Sequence, residues 1–472
     1  MFTKQLLFDQ LTPIAIYTRL KERFPGEITL LFESAINTED GNFSFIFIGA
    51  KERITYKDET TTVLKEDGSI ATVPENPFLY LKNYYRHINY AKYRELGEKL
   101  NVGFVDGFVG FIGYDAVKIF EPVLKPWMDP LEDELHSPDI DLIRPKLTLA
   151  FSHKTNTLTL ITPDEAMGKT LDEIVAYLKE PYAYVDLKRS PIDPQKGKFA
   201  FDKARFFEMV AMSKEMIKSG DVFQILMSNR FTQYASIDPL SFYRTLRSQN
   251  PSPYMFLLEY EDFTIAGSSP EVMVGLHDQH ILLRPIAGTR RRGKTPQRDA
   301  ELAQEMLNDE KECAEHLMLI DLGRNDVGRV AKTGTVKVTE MMRVERYSHV
   351  MHMVSDIDAV LDEQHDMFDL FAATFTAGTM TGAPKIRAME LIAEFEGLKR
   401  GFYSGAVGYF GFDGNMDSAI AIRTAYLDDE KIVFQAGAGI VADSQEELEY
   451  LEVQNKLAAN MASLQKLDEN EA

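Results

Sequence analysis

Among 472 residues there is one cysteine, Cys313, and one tryptophan, Trp127. A lone thiol excludes an internal disulfide and a zinc centre built on several cysteines. Positive charge is also scarce: 52 Lys and Arg stand against 73 Asp and Glu, a net charge of −21. Such a chain repels phosphate backbones and anionic lipid, so neither nucleic acid nor a membrane surface is expected as its main partner. A small anionic substrate is not excluded, because a few Arg and Lys reverse the field inside a cleft. No apolar run is long enough to span a bilayer. The first twenty residues lack a basic start, and Asp9 and Gln10 interrupt their apolar stretch, so no secretory signal is read there. A cytoplasmic globular protein is the expectation. No repeat of fixed period is present, and 44% hydrophobic residues suffice for a large core.

The acidic residues that are there fall into a pattern. A helix is expected over Asp299 to Leu319, and on it Glu312 and Glu315 lie three residues apart, on one face. A second pair, Glu449 and Glu452, recurs near the C-terminus, where Ser444 and Glu447 read as a capping box that starts a helix. There Glu449, Glu452 and Lys456 follow an i, i+3, i+7 pattern and share a face. Either pair alone is what any solvated helix carries. Together, two acidic faces far apart in sequence suit a hard cation such as Mg²⁺, which takes oxygen ligands and shares them with an anionic substrate. A di-iron carboxylate bundle would need Glu-x-x-His twice and is excluded, since His316 follows Glu312 by four and the second helix has no His.

In chain order, Thr12-Pro13 reads as N-cap and first residue of a helix to about Phe24. Ile28–Ser34, Phe43–Gly49, Ile54–Tyr56 and Thr61–Leu64 read as an antiparallel meander, and Phe78–Leu96 as a helix. Val102–Tyr114 alternates glycine with large apolar residues, as strands do where another backbone comes close. A hairpin over Lys146–Thr162 and a helix over Asp164–Lys179 close an N-terminal domain, 1–180. Residues 181–198, with three prolines and no periodicity, read as a linker, and 199–465 as a second domain. In that second part Asp202–Ser219 is an amphipathic helix closed by Gly220, and Asp221–Phe231 a strand. Arg343–Ile357 reads as one long strand with Val350, His352 and Val354 on one face and His349 on the other. Strands come in runs with helices between the runs. That argues for an α+β fold with antiparallel sheets in a sandwich-like core, flanking helices, and the N-terminal domain packed against the other.

Seven blocks, in order, resemble the chorismate-utilising enzymes: RPIAGT (284–289), KECAEHLMLIDLGRNDVGRV (311–330), RYSHVMHMVSDI (346–357), TAGTMTGAPK (376–385), RGFYSGAVGY (400–409), IAIRT (420–424), and GAG (437–439) followed by ELEYLEVQNK (447–456). LLFES at 30–34 is similar to the N-terminal domain of the anthranilate synthase large-subunit branch of that family. The resemblance implies a site for chorismate, a dicarboxylate ring that a nucleophile attacks at C2 while the C4 hydroxyl leaves. It implies Mg²⁺ held by Glu315 and Glu452, with Glu312 and Glu449 acting through metal-bound water or as proton-transfer groups. Gly437, Ala438 and Gly439 would offer backbone N–H groups to a carboxylate, with Arg423 and Lys456 as its charge partners. Gly288, Thr289 and Tyr403 would complete the pocket. His352, by spacing alone a core histidine, becomes by the same resemblance the acid or hydrogen-bond donor for the leaving hydroxyl, a role that a near-neutral pKa suits. Cys313, with no base beside it, is expected to be buried and inert.

Two positions bear on the nucleophile. Relatives that add water carry a lysine in the strand where this chain has Gln224. Relatives that attack through the protein carry a lysine in RPIAGT where this chain has Ala287. The resemblance therefore implies ammonia, delivered from glutamine by a partner amidotransferase subunit in a hetero-oligomer, with anthranilate and pyruvate as products. An aminodeoxyisochorismate or aminodeoxychorismate product remains an alternative, as does a tryptophan-binding regulator without catalysis. Ser34, with Pro253, Tyr254 and Met255 of NPSPYM (250–255), resembles the site at which tryptophan inhibits that branch. On the residues alone these are a core strand and a strand entry.

Overall fold

The computed structural model describes residues 1–34, 43–346 and 350–469. Two long strands, Phe43–Lys57 and Ile140–Ser152, pair antiparallel along almost their whole length, with a register slip between Ala50 and Glu52. Gly49, at φ +65°, stands at the bend. One glycine in the left-handed region and one irregularity suffice to turn a strand pair from one sheet into another. On one side of the bend the sheet runs through Thr29–Glu33, Tyr254–Glu259, Thr264–Ser269, Thr424–Leu427 and Lys431–Ile440 to Gln224–Tyr234. On the other it runs through Gly107–Ile112, Ala406–Gly411, Met416–Ile420, Val272–His277 and His280–Leu283 to Val350–Val360. The fold is α+β, and its strand ladders are antiparallel.

Side-chain alternation shows how the layers stack. Leu30, Phe47 and Leu226 point into a core that also holds Phe108, Phe410 and Ile420 of the second sheet. Their chain neighbours Leu31, Ile46, Ile225 and Met227 point the other way, onto Tyr17, Ile174, Phe206, Leu246 and Leu457 of the outer helices. Strands buried on both faces read as continuous apolar runs, which is why these segments show little alternation.

Local signals set most element ends. Thr12 accepts from the Ala15 N–H at 3.3 Å and starts the helix Pro13–Arg23. Gly220, at φ +86°, closes Lys203–Ser219. Several segments differ from the sequence reading. The expected helix over 299–319 is two, Pro296–Leu307 and Glu310–Gly328. Asp309 accepts the Lys311 and Glu312 N–H groups, both at 3.1 Å, so its carboxylate starts a new helix rather than continuing the old one. The expected helix over 78–96 is likewise Pro77–Tyr85 and Tyr90–Leu100, restarted by Asn89. The expected single strand over 343–357 is two paired strands, Lys337–Arg346 and Val350–Val360. His349 lies outside the described residues. The capping box at Ser444 does not form: the helix Glu446–Gln465 has no side-chain cap, and the Ser444 hydroxyl accepts from the Val441 N–H instead. A first strand, Phe2–Leu7, pairs with Thr157–Thr162 and carried no sequence signal, since it is mostly exposed.

The glycine-rich segment behaves as expected over its core, Gly107–Ile112. Gly110 pairs with Gly408 of the neighbouring strand. It has φ +151°, and a Cβ there would run into the Asp141 carbonyl and lie 2.9 Å from the Tyr260 hydroxyl that donates to that carbonyl. Gly110→Ala is expected to lower unfolding stability by about 2–4 kcal/mol, from strain and backbone collision together. Urea titration checks this, and a midpoint equal to wild type would contradict it.

Candidate active site

The strand Ile286–Arg291 pairs with Val350–Val354, and its register slips between Ala287 and Thr289. The extra residue is Gly288, at φ +59°, where a Cβ would come within 2.6 Å of Glu312 Oε2. The bulge sets Thr289 opposite His352. His352 Nδ1 lies 3.0 Å from Thr289 Oγ1 and 3.2 Å from the Gly288 carbonyl. A carbonyl only accepts, so Nδ1 carries the hydrogen and Nε2 is the basic nitrogen. Burial, and then Arg423, lower the imidazole pKa to about 4, against the Gly288 bond and Glu345. The near-neutral pKa expected for this histidine is therefore not what the fold produces; near pH 7 the ring is uncharged.

Helix Glu310–Gly328 brings Glu312 and Glu315 towards Glu449 and Glu452 of helix Glu446–Gln465. Lys311, ion-paired with Asp443 at 3.1 Å, ties the two helices at their starts. Burial raises the Glu315 carboxyl above its ordinary value, and Glu312, Asp443 and Glu452 add to the rise against Lys311. Burial likewise raises Glu449, with Glu452 adding to it. Three of these carboxylates are drawn toward a cation: Glu312 pairs with Arg290, Glu452 with Lys456 at 2.8 Å, and Glu315 lies 4.0 Å from Lys311. Among the described residues no three His, Cys, Asp or Glu groups are gathered closely enough to hold a metal. The donor set nevertheless fits Mg²⁺ in kind. It is all carboxylate oxygen, it repels itself, and Glu312 Oε2 is buried without a partner.

The floor is the end of strand Lys431–Ile440, where Gly437, Ala438 and Gly439 pair with Ser228, Met227 and Leu226. The Lys456 ammonium donates to the Gly437 carbonyl at 2.8 Å. A Cβ on Gly437 would lie 3.1 Å from the Tyr403 hydroxyl, and one on Gly439 would lie 2.6 Å from Gln224 Nε2. Gln224 Oε1 is buried with no partner. Arg423 (φ +50°) stands between two strands, and its charge reaches both His352 and Glu271. Cys313 is half-buried and donates to the Leu307 carbonyl at 3.3 Å. The fold sets Gly288, Thr289, His352 and Glu312 together at the bulge, and Gly437, Gly439, Tyr403, Gln224 and Lys456 together at the strand end.

Glu271 was not nominated. It precedes strand Val272–His277, is buried, and accepts from the Thr379 hydroxyl at 3.0 Å. Burial raises its pKa to about 7, against the Thr379 bond, Lys456 and Arg423. Its one sequence signal is a carboxylate, in SSPEV, set at the edge of an apolar strand with no base beside it. Thr379 comes from TAGTMTGAPK. The nominated effector residues lie elsewhere, where Thr29–Glu33 pairs with Tyr254–Glu259 and Met255 stands opposite Glu33. Ser34 follows directly and Met255 is buried. The Tyr254 hydroxyl donates to Asp417 at 3.3 Å.

The family profile of chorismate binding enzymes matches residues 13–462. The chain belongs to that family. This chorismate-binding enzyme is 40% identical to anthranilate synthase component 1 of Aquifex aeolicus over 99% of this chain and 95% of that protein. It is 42% identical to the protein of the same name from Acinetobacter calcoaceticus, over 97% of this chain and 93% of that one. The crystal structure of anthranilate synthase component I from Streptococcus pneumoniae superposes with a TM-score of 0.79 at 33% identity, covering 97% of this chain and 99% of that one. The menaquinone-specific isochorismate synthase from Escherichia coli shares the fold alone, with TM-score 0.72 and 16% identity over 98% and 94% of the two chains.

The histidines have a consequence for this chorismate-binding enzyme's stability. His316, whose Nε2 lies 2.7 Å from Ser355 Oγ, is also lowered by burial to about 4. Between pH 6.5 and 4 an unfolded histidine takes a proton that the native ring refuses, so stability falls as pH drops through that window and levels below it. His352→Gln is expected to remove on the order of 2–3 kcal/mol of that loss between pH 7 and 4. Unfolding midpoints measured across that range check it, and wild type and variant losing stability in parallel would contradict it.

Proposed function

We propose that this chain is the large subunit of an anthranilate synthase, converting chorismate and ammonia to anthranilate, pyruvate and water in tryptophan biosynthesis. The observation that carries the reading is the convergence of Arg423 and Lys456 on one buried, protonatable carboxyl, Glu271, with Lys456 also bonded to Gly437 of the glycine strand. Two cations and backbone N–H groups suit a dicarboxylate. A carboxyl with a pKa near 7 keeps a proton to give to the departing C4 hydroxyl, while neutral His352 accepts that hydroxyl's own hydrogen at Nε2. Residues 199–465 form the catalytic part, 1–180 the regulatory part, and 181–198 the connection.

No lysine stands at Gln224 or Ala287, so the nucleophile comes from outside the chain. Gln224 cannot take a proton from water, but its buried amide oxygen suits an N–H donor such as ammonia. Mg²⁺ would be held by Glu315 and Glu452, with Glu312 and Glu449 through water, and would neutralise a substrate carboxylate. Lys456 and Arg290 would then leave the glutamates, and Lys456 would turn to the substrate. The triad a glutaminase needs is not available around a single half-buried cysteine, so a partner subunit supplies ammonia in a cytoplasmic hetero-oligomer. Tryptophan binding between Ser34 and Pro253–Met255 would favour a state with weaker chorismate affinity.

The test is fluorescence of anthranilate from chorismate, Mg²⁺ and an ammonium salt. A non-aromatic product would favour the aminodeoxyisochorismate alternative, and no product would overturn the reading. Glu271→Gln is expected to lower kcat by about 10²- to 10⁴-fold with the fold retained. With free ammonia held constant, wild-type kcat should fall as pH rises through the pKa of Glu271. Glu315→Gln or Glu452→Gln should abolish activity, as should excess chelator. Ser34→Phe should leave an active enzyme that tryptophan does not inhibit, whereas a wild-type rate unchanged at saturating tryptophan would remove the regulatory assignment alone.

A further inference from the structure

Beside the pocket lies an ion pair with almost no exposure. Arg400 and Glu396 are 1% and 5% exposed. Arg400 Nε donates to Glu396 Oε2 at 2.8 Å and Nη2 to Oε1 at 2.7 Å. Its other donors reach two backbone carbonyls from different parts of the chain, Met380 at 2.8 Å and Leu226 at 2.9 Å. The guanidinium lies over the rings of Tyr114 at 4.8 Å and Tyr403 at 5.7 Å. Glu396 Oε1 in turn accepts both the N–H and the hydroxyl of Ser228, at 2.9 and 2.8 Å.

Each of these partners is one step from a wall of the site. Met380 follows Thr379, whose hydroxyl holds Glu271. Leu226 and Ser228 are the strand partners of Gly439 and Gly437. Tyr403 sets its hydroxyl against Gly437. A buried ion pair is a weak source of stability, because removing two charges from water costs about what their attraction returns. A pair retained there, with four N–H groups of one arginine divided between a carboxylate and two distant carbonyls, specifies geometry instead.

We propose that the Arg400–Glu396 pair is a positioning element for catalysis. It fixes the loop of Thr379, the ring of Tyr403 and the glycine strand in one mutual arrangement around the substrate. The pair touches no reacting atom and acts through those three. The inference rests on the chorismate reading above.

Arg400→Lys tests it. Lysine keeps a cation beside Glu396 but lacks the planar fork that spans Met380, Leu226 and Tyr403. The variant is expected to fold, with native circular dichroism, and to lose at least tenfold in kcat with ammonia as substrate. The alkaline limb of its kcat profile should also move upward, because a Thr379 hydroxyl released from Glu271 no longer favours the carboxylate. Thr379→Val should reproduce that movement of the limb in the presence of wild-type Arg400. Glu396→Gln, which keeps an acceptor for Ser228 and for one Arg400 donor, should fall between wild type and Arg400→Lys in both measurements.

A lower kcat with an unmoved pH profile would make the pair merely structural and overturn the inference. So would wild-type kinetics in a folded variant, or failure of both Arg400→Lys and Glu396→Gln to fold. Wild-type enzyme that forms no anthranilate from chorismate and ammonium would instead sink the functional reading, so the two failures are told apart.

Discussion

Everything in this molecule depends on the antiparallel pairing of Phe43–Lys57 with Ile140–Ser152. These two strands belong to both sheets, and every other ladder is reached from one half of them or the other. Thr29–Glu33 extends the first sheet into the C-terminal part through Tyr254–Glu259, and Gly107–Ile112 extends the second through Ala406–Gly411. Residues from the first third of the chain are therefore inner strands of the sheets that carry the candidate site. A ligand that shifts Thr29–Glu33 shifts a hydrogen-bonded neighbour of Met255 with it.

The second constraint is charge. In a chain of net charge −21, Arg423 and Lys456 act on the buried carboxyl of Glu271, and Lys456 also pairs with the exposed Glu452. Burial raises Glu271, to about 7, and raises Glu315 and Glu449 in the same direction, so these carboxyls hold their protons more tightly than exposed ones, while burial keeps His352 uncharged. Arg290, Lys311 and Lys456 serve as internal counter-ions for Glu312, Glu315 and Glu452. A divalent cation would compete with cations the protein already owns, which keeps the acidic helices together when no metal is bound.

How much of this was legible in the sequence divides along a physical line. Spacing on one helix was readable: Glu312 with Glu315, and Glu449, Glu452 and Lys456, follow helical period, and the structure keeps each set on its helix. The alternation of glycine with aromatics around Gly110 was readable for the same reason, as a local sign of a close backbone. Glu271 was not readable, because what makes it unusual is supplied by Thr379, Arg423 and Lys456, more than a hundred residues away. Nor was the strand Phe2–Leu7, which buries little and leaves no pattern. The pKa of His352 went astray for a related reason: its type and motif suggested proton transfer, but burial and Arg423 decide its charge, and both are tertiary.

The break at Asn308 shows how a local error in the sequence reading can conceal a functional device. Asp309 sits in a stretch rich in helix formers and reads as one more acidic helical position. Its carboxylate instead caps a new helix by accepting from Lys311 and Glu312. That cap fixes where the second helix begins and hence the rotation of its face. The rotation aims Glu312 at the Gly288 bulge and at Arg290, which also pairs with Asp309 at 3.5 Å. Had a single helix run on from Pro296, its axis would have been set by packing of Ala303 and Met306 alone, and Glu312 would have followed that axis. The cap separates the two demands. The first helix is free to pack against Met351 and Met353, while the second is oriented by polar contacts to the strand that carries Thr289. A residue whose own side chain touches no substrate thereby determines where a carboxylate of the site can stand.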